Sequence, residues 1–360
     1  MSPSKWMILP VAGLAMLAAA AELRGQTVKA GPLELDLTGR AQVQFNATSV
    51  GEDELGEDAP AGAAFEMRRV RLGTNFSYDE WITGKLEAEL TGSAARLTDA
   101  YLDVPLSPAF SVRAGQFKKP FGLFELESNT RVITIERMLR IAGVEDLVGI
   151  PGEAHWLLDE GGYVGRDIGV MVEAGAGVVG VSAGIFGGEG ANTRESDGSK
   201  AFAARVTAAP VAGLLVGAAV SSRPGVFDAL GDEEHATAFA VDLEWGGFRE
   251  EGLRVMAEAM MGDNPLLDPA DDPSMRGLQA AASWFAPRDG RVEGVEPLLR
   301  VSWADPDTDV DDNEGTLVTP GINFYFTGRN RLMINGEAYV PAQDGVDTQY
   351  GLEVRMQIYF

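Results

Sequence analysis

The side chains that could do chemistry in this 360-residue chain are mainly charged ones. His155 and His235 are the only histidines and there is no cysteine. Neither histidine has a second ligand at metal-binding spacing. No Gly-x-Ser-x-Gly elbow presents a nucleophile. Gly187-Gly-Glu-Gly190 is glycine-rich but closes a strand instead of opening a helix, the wrong place for a phosphate cradle. The 305–314 run sets carboxylates at Asp305, Asp307, Asp309 and Asp311, alternate positions that suit a hard cation such as Ca²⁺. Val310 stands where a helix–loop–helix calcium site needs glycine, so the run reads either as a divalent site or as a solvated acidic loop. What remains is a set of fixed charges: Arg40, Arg69, Arg71, Lys85 and Arg113, interleaved with Glu34, Asp36, Glu87, Glu89, Asp99 and Asp103. Such a set points to handling of small charged solutes, with no resident cofactor and no catalysis.

The elements that carry these charges alternate. Residues 347–360 place Tyr350, Leu352, Val354, Met356, Ile358 and Phe360 on one face and Glu353, Arg355 and Gln357 on the other. Period-2 patterning over about ten residues, with one apolar face, is the signature of a strand that spans a bilayer within a closed barrel. The same pattern recurs over 33–45, 65–78, 84–91, 98–106 and 110–117. It returns over 166–174, 178–186, 200–209, 214–222, 236–245, 253–261, 275–285, 295–303, 315–326 and 331–340. The count is about sixteen antiparallel strands. Alternation predicts that Leu33, Leu35, Leu37, Val43, Leu72, Leu86, Leu102, Leu352, Val354 and Ile358 face lipid or a subunit interface, and that the charged set faces the lumen. Between 118 and 163 the alternation stops. Within that stretch Ile135, Met138, Leu139 and Ala142 recur at helical spacing and predict a short helix over 133–147.

Lys plus Arg number 29 and Asp plus Glu 54, a formal net charge of −25. That balance excludes a basic nucleic-acid footprint. Lys5 followed by an apolar, alanine-rich stretch reads as a signal peptide over 1–21, with cleavage as late as 26, leaving 22–360 as one barrel domain. Connections alternate in length. Gaps centred on Asp79-Glu80, Ser107-Pro108, Gly175-Ala-Gly177 and Gly246-Gly247 are tight. Those between them are longer and hold acidic runs such as 52–58, 263–272 and 305–314. Short turns on one rim and long loops on the other are the layout of an outer-membrane barrel, with the acidic loops outside and the terminal Phe360 on the periplasmic side.

The run Val112-Arg-Ala-Gly-Gln-Phe-Lys-Lys-Pro-Phe-Gly-Leu123, with Ile135-Glu-Arg-Met138, Gly165-Arg-Asp-Ile-Gly-Val170 and Gly321-Ile-Asn-Phe-Tyr-Phe326, resembles the phosphate-selective porin O and P family. The resemblance covers the chain from about residue 33 to 360. It implies a sixteen-stranded barrel, a homotrimer, and a channel narrowed by its third long extracellular loop folded into the lumen. It also implies passive diffusion of small hydrophilic solutes with a preference for anions such as phosphate or pyrophosphate. The third long loop here is 118–163, also the longest. Lys118, Lys119, Arg137 and Arg140 are therefore the candidate constriction residues, with Glu125, Glu127, Glu136, Glu145 and Asp146 opposing them.

Partners expected on this reading are small solutes or anions, outer-membrane lipid and lipopolysaccharide, and further copies of the chain. A different class of function stays open: a structural or adhesive surface barrel whose acidic loops bind cations. A sealed barrel would give no conductance steps.

Overall fold

The computed structural model describes residues 27–49, 62–79, 81–141, 151–196, 198–227, 233–268 and 271–360. The predicted signal peptide, the 52–58 acidic run, Glu145 and Asp146 lie outside the described residues.

The chain folds into a closed antiparallel barrel. A short strand, β1 (Thr27–Ala30), precedes β2 (Leu33–Ser49), β3 (Gly62–Tyr78), β4 (Ile82–Glu89), β5 (Arg96–Ser107) and β6 (Phe110–Lys118). After the long connection come β7 (Arg166–Ala176), β8 (Val179–Phe186), β9 (Ala201–Val211), β10 (Leu214–Phe227), β11 (Glu233–Trp245) and β12 (Gly252–Asp263). The circuit ends with β13 (Ser274–Pro287), β14 (Gly294–Asp305), β15 (Gly315–Tyr325), β16 (Arg331–Pro341) and β17 (Gln349–Tyr359). Each of β2 to β17 pairs with its sequence neighbour, and β17 pairs back onto β2. Sixteen strands therefore close without an edge, as hydrocarbon requires of any spanning sheet. All sixteen correspond to alternating stretches read in the sequence. The addition is β1, which pairs with residues 33–36 of β2 on the edge that β17 covers only from Arg40 to Ser49.

Alternation sets the two faces. In β13, Leu278 and Trp284 are exposed while Gln279, Ala281 and Ser283 are buried. Leu37, Val43, Leu72, Leu86, Leu102 and Leu352 are likewise exposed, and Leu33, Leu35, Val354 and Ile358 half-exposed. Polar and charged side chains take the buried face, the reverse of a soluble protein and the arrangement of a barrel surrounded by lipid.

Turn chemistry follows the same logic. The two-residue turns before β8 and β10 carry Gly177 and Gly213 at φ 60° and 81°, the left-handed conformation that tight hairpins need. At the closure the amide of Gly39 donates to the Phe360 carbonyl at 2.8 Å, and the Phe360 amide returns a bond at 3.0 Å. The Phe360 ring lies directly over Gly39, where a Cβ would stand 2.2 Å from the ring.

Candidate permeation site

The described residues of the 119–165 connection contain two short helices, Leu123–Leu126 and Ala154–Glu160. The predicted helix over 133–147 does not form across its described part, 133–141. The backbone there bonds to barrel side chains instead of to itself. Asn335 accepts from the Ile135 amide at 2.6 Å; Asn323 donates to the Ile133 carbonyl at 2.9 Å and Arg331 to that of Val132 at 2.7 Å. Arg355 donates to Ile135 and Arg300 to Arg137. A helix would need the carbonyls of Ile133, Ile135 and Arg137 for its own i to i−4 bonds.

The second helix is placed by packing. Leu157, Leu158 and the nearby Phe121 and Tyr163 cluster with Ala219, Ala238 and Ala240 of β10 and β11 and with Met260 of β12. Small residues on the inward face of neighbouring strands leave the room this helix occupies. Glu153 caps it, accepting from the Trp156 amide at 2.7 Å and from the Ser302 hydroxyl at 2.6 Å. The connection thus contacts every strand from β10 to β17.

Acids of the connection are tied down by cations. Glu136 pairs with Arg68 at 2.7 Å, with Arg69 at 3.1 Å and with Arg355. Arg68 was not among the predicted inward charges, because strict alternation turns it outward. A bulge opposite Gln42 and Val43 inserts one residue into β3, so that consecutive arginines reach the same carboxylate. Glu127 pairs with Arg131 at 3.2 Å and with Arg254. Glu125 pairs with Lys118 at 2.9 Å and Arg137 at 3.7 Å, with His155 3.7 Å away. Burial opposes ionisation of Glu125, but Lys118 and Arg137 hold it well below the usual carboxylate range. Burial pushes His155 down to about 3, against the pull of Glu125, so its ring is neutral at pH 7.

Of the four candidate constriction residues, Lys118 lines a half-open cavity of about 350 Å³. Lys119 is buried, its ammonium bonded to the Gly162 carbonyl, and burial lowers its pKa to about 8. Arg137 donates to the Phe124 carbonyl at 2.7 Å and to Glu127. Arg140 pairs with Glu66 at 3.2 Å.

The cavity lies between the connection and β2 and β4 to β9. Six cations line it: Arg40, Lys85, Arg113, Lys118, Arg166 and Arg205. Asp99 and Glu173 are the acids in its lining. Asp99 is gripped by Lys85 at 2.5 Å and Arg166 at 2.7 Å. Arg113 takes Asp103 at 2.8 Å, Arg205 takes Asp242 at 2.6 Å, and Arg40 takes Glu87 at 2.8 Å. Arg71 bridges Glu87 at 3.3 Å and Glu89 at 2.5 Å, while Arg69 is drawn to Glu136. Arg166 and Arg205 were missed in the sequence. Arg166 stands in the Gly165-Arg-Asp run, and Arg205 is the lone charge on the inward face of β9. In the 305–314 run, Asp305 pairs with Arg276 at 3.0 Å and Asp307 accepts from the Asp309 amide at 3.1 Å. Among the described residues no cluster of three potential metal ligands occurs.

A closed sixteen-strand barrel with an apolar outer face and a charged interior is the architecture of a bacterial outer-membrane channel for small solutes. The chain belongs to the phosphate-selective porin O and P family, whose model matches residues 36–257. Among solved structures it is similar to the outer-membrane channel DcaP of Acinetobacter baumannii, with 14% identity, a TM-score of 0.59 and coverage of 93% of this chain and 100% of that one. It is also similar to OmpT of Vibrio cholerae, with 13% identity, a TM-score of 0.59 and coverage of 93% and 100%. OmpF of Salmonella typhi, in complex with daunomycin, gives 13% identity, a TM-score of 0.60 and coverage of 92% and 100%. At these identities the likeness is one of fold. No curated protein sequence matches the chain.

Proposed function

We propose that the 119–165 connection occupies the side of the lumen bounded by β10 to β17 and leaves an off-centre lane along β2 and β4 to β9, through which small anions pass more readily than cations. The observation that carries this is the lining of the cavity, six cations against Asp99 and Glu173. The acids that pair with Arg40, Lys118 and Arg205 are not in that lining, while Arg113 is shared between Asp103 outside it and Glu173 within it. A solute in the lane meets the positive end of the Arg40, Lys118 and Arg205 pairs first. Low-dielectric walls focus the field of such charges. Because each cation is partly neutralised from behind, the preference is modest. The test is the reversal potential of purified protein in a KCl gradience across a planar bilayer. The wild type is expected to favour chloride, and Lys85→Gln combined with Lys118→Gln to move the reversal potential toward the potassium value. No movement would remove these lysines from the conduction path, and the absence of conductance steps would favour the sealed surface barrel.

Three further points belong to the same reading. Residues 1–21, or up to 26, are removed on export, which N-terminal sequencing of the outer-membrane form checks. The acidic loops face the exterior and its lipopolysaccharide. The assembly is a homotrimer, the state the family implies, which the native mass in detergent checks.

A further inference from the structure

We propose that the lane selects organic anions carrying an apolar, flat body beside the carboxylate, such as benzoate, over acetate and inorganic phosphate. This rests on the anion-conducting reading above and names its substrate class. The cavity is not lined by charge alone. Tyr101, Phe117 and Met171 contribute from β5, β6 and β7, and Pro120 and Leu126 face them from the connection. Tyr101 and Phe117 stand edge to face at 6.0 Å, and the Arg113 guanidinium lies over the Tyr101 ring at 4.5 Å. The apolar groups and the cations therefore share one small volume.

The hydrogen-bonding state of the cations also matters. A bare phosphate gives up much of its water and needs several N–H donors in return. Here many of those donors are engaged with the wall. Arg113 is bidentate to Asp103 at 2.8 and 3.0 Å, and Arg205 bidentate to Asp242 at 2.6 and 2.7 Å. Arg166 holds Asp99. By contrast Arg40, 7% exposed, keeps a buried Nε–H with no protein partner among the described residues. One carboxylate can be held by that edge together with the remaining donor of the nearby Lys85, whose ammonium also reaches Asp99 at 2.5 Å and Glu87 at 3.4 Å. The rest of such a ligand then lies against Tyr101 and Leu126, where a ring gains contact that a second phosphate oxygen would not. A volume of about 350 Å³ falls in the lower range of sites that hold small organic ligands.

The experiment measures block of single-channel chloride current by benzoate, acetate and inorganic phosphate added to the wild-type channel. Benzoate is expected to half-block at a concentration roughly two- to tenfold below that of acetate, the factor one aromatic contact supplies. Tyr101→Ala is expected to bring the benzoate value up to the acetate value, and Tyr101→Phe to keep them apart. Leu126→Asn, on the other side of the cavity, should narrow the same ratio and serves if Tyr101→Ala does not assemble. Equal block by benzoate and acetate in the wild type would overturn the proposal, as would a ratio that survives both Tyr101→Ala and Leu126→Asn. Reversal potentials in KCl separate the two claims. Cation preference there defeats the anion reading itself, whereas anion preference with equal block defeats only the choice of substrate.

Discussion

Replacing Glu136 by Gln tests how the long connection is held. The carboxylate accepts from Arg68 at 2.7 Å, from Arg69 at 3.1 Å and from Arg355, and it is 5% exposed. Removing its charge leaves three guanidinium groups crowded together without their shared counter-ion. Breaking a buried ion pair by deleting one partner costs about 3–5 kcal/mol. The barrel wall keeps its sheet bonds in the variant, so the loss falls on docking of the 128–141 stretch. Converted to an equilibrium, it raises the undocked population by roughly two to four orders of magnitude. The assays are single-channel conductance, expected to become larger and noisier, and limited trypsinolysis at Arg131, Arg137 and Arg140. The comparison is Arg140→Gln, which loses one pair to Glu66 at 3.2 Å with both side chains about a third exposed. Such a pair contributes about 0.2–1 kcal/mol, so this variant is expected to conduct as the wild type does. If Glu136→Gln shows wild-type conductance and wild-type protease resistance, the triple pairing does not anchor the segment and the reasoning fails.

Gly39→Val is expected to slow or block assembly, because a Cβ there would stand 2.2 Å from the Phe360 ring at the barrel closure; retained gel mobility in unheated samples and normal refolding would count against this. His155 gives a pH dependence. Its docked value of about 3 lies below the free value near 6.5, so the undocked segment takes up the proton first and docking weakens as pH falls through that interval. Asp159, which burial raises to about 6, opposes this between about pH 4 and 6, because there the docked form binds the proton more tightly. The expected result is that the two terms largely offset in the wild type between about pH 6 and 4, whereas His155→Gln leaves the Asp159 term alone and gains protease protection as pH falls, a slope difference of up to about 1.4 kcal/mol per pH unit; identical slopes in variant and wild type would refute it. An epitope inserted after Asp309 should bind antibody on intact cells, and one inserted after Asp289 only after the outer membrane is opened. The opposite pattern would invert the topology.

The strands were legible because their signal is local. A strand turns each successive side chain to the opposite face, so a wall with lipid outside and polar groups inside writes period-2 alternation into every spanning segment. All sixteen long strands, the parity of short and long connections, and the inward face of Arg40 and Arg71 follow from that rule. The charge of −25 and the two isolated histidines likewise steer away from nucleic-acid binding and metal catalysis at the level of composition. Only the tertiary structure decided the path of the long connection. Its helical spacing over 133–147 lost to hydrogen bonds from Asn323, Asn335 and Arg331, some 190 to 200 residues distant in sequence. The bulge that brings Arg68 beside Arg69 depends on register against β2, which no local pattern encodes. Which of the charges meet in one cavity is equally non-local. Lys118 and Arg205 line it while Lys119 turns to Gly162, because burial and pairing across the barrel set the direction of each side chain.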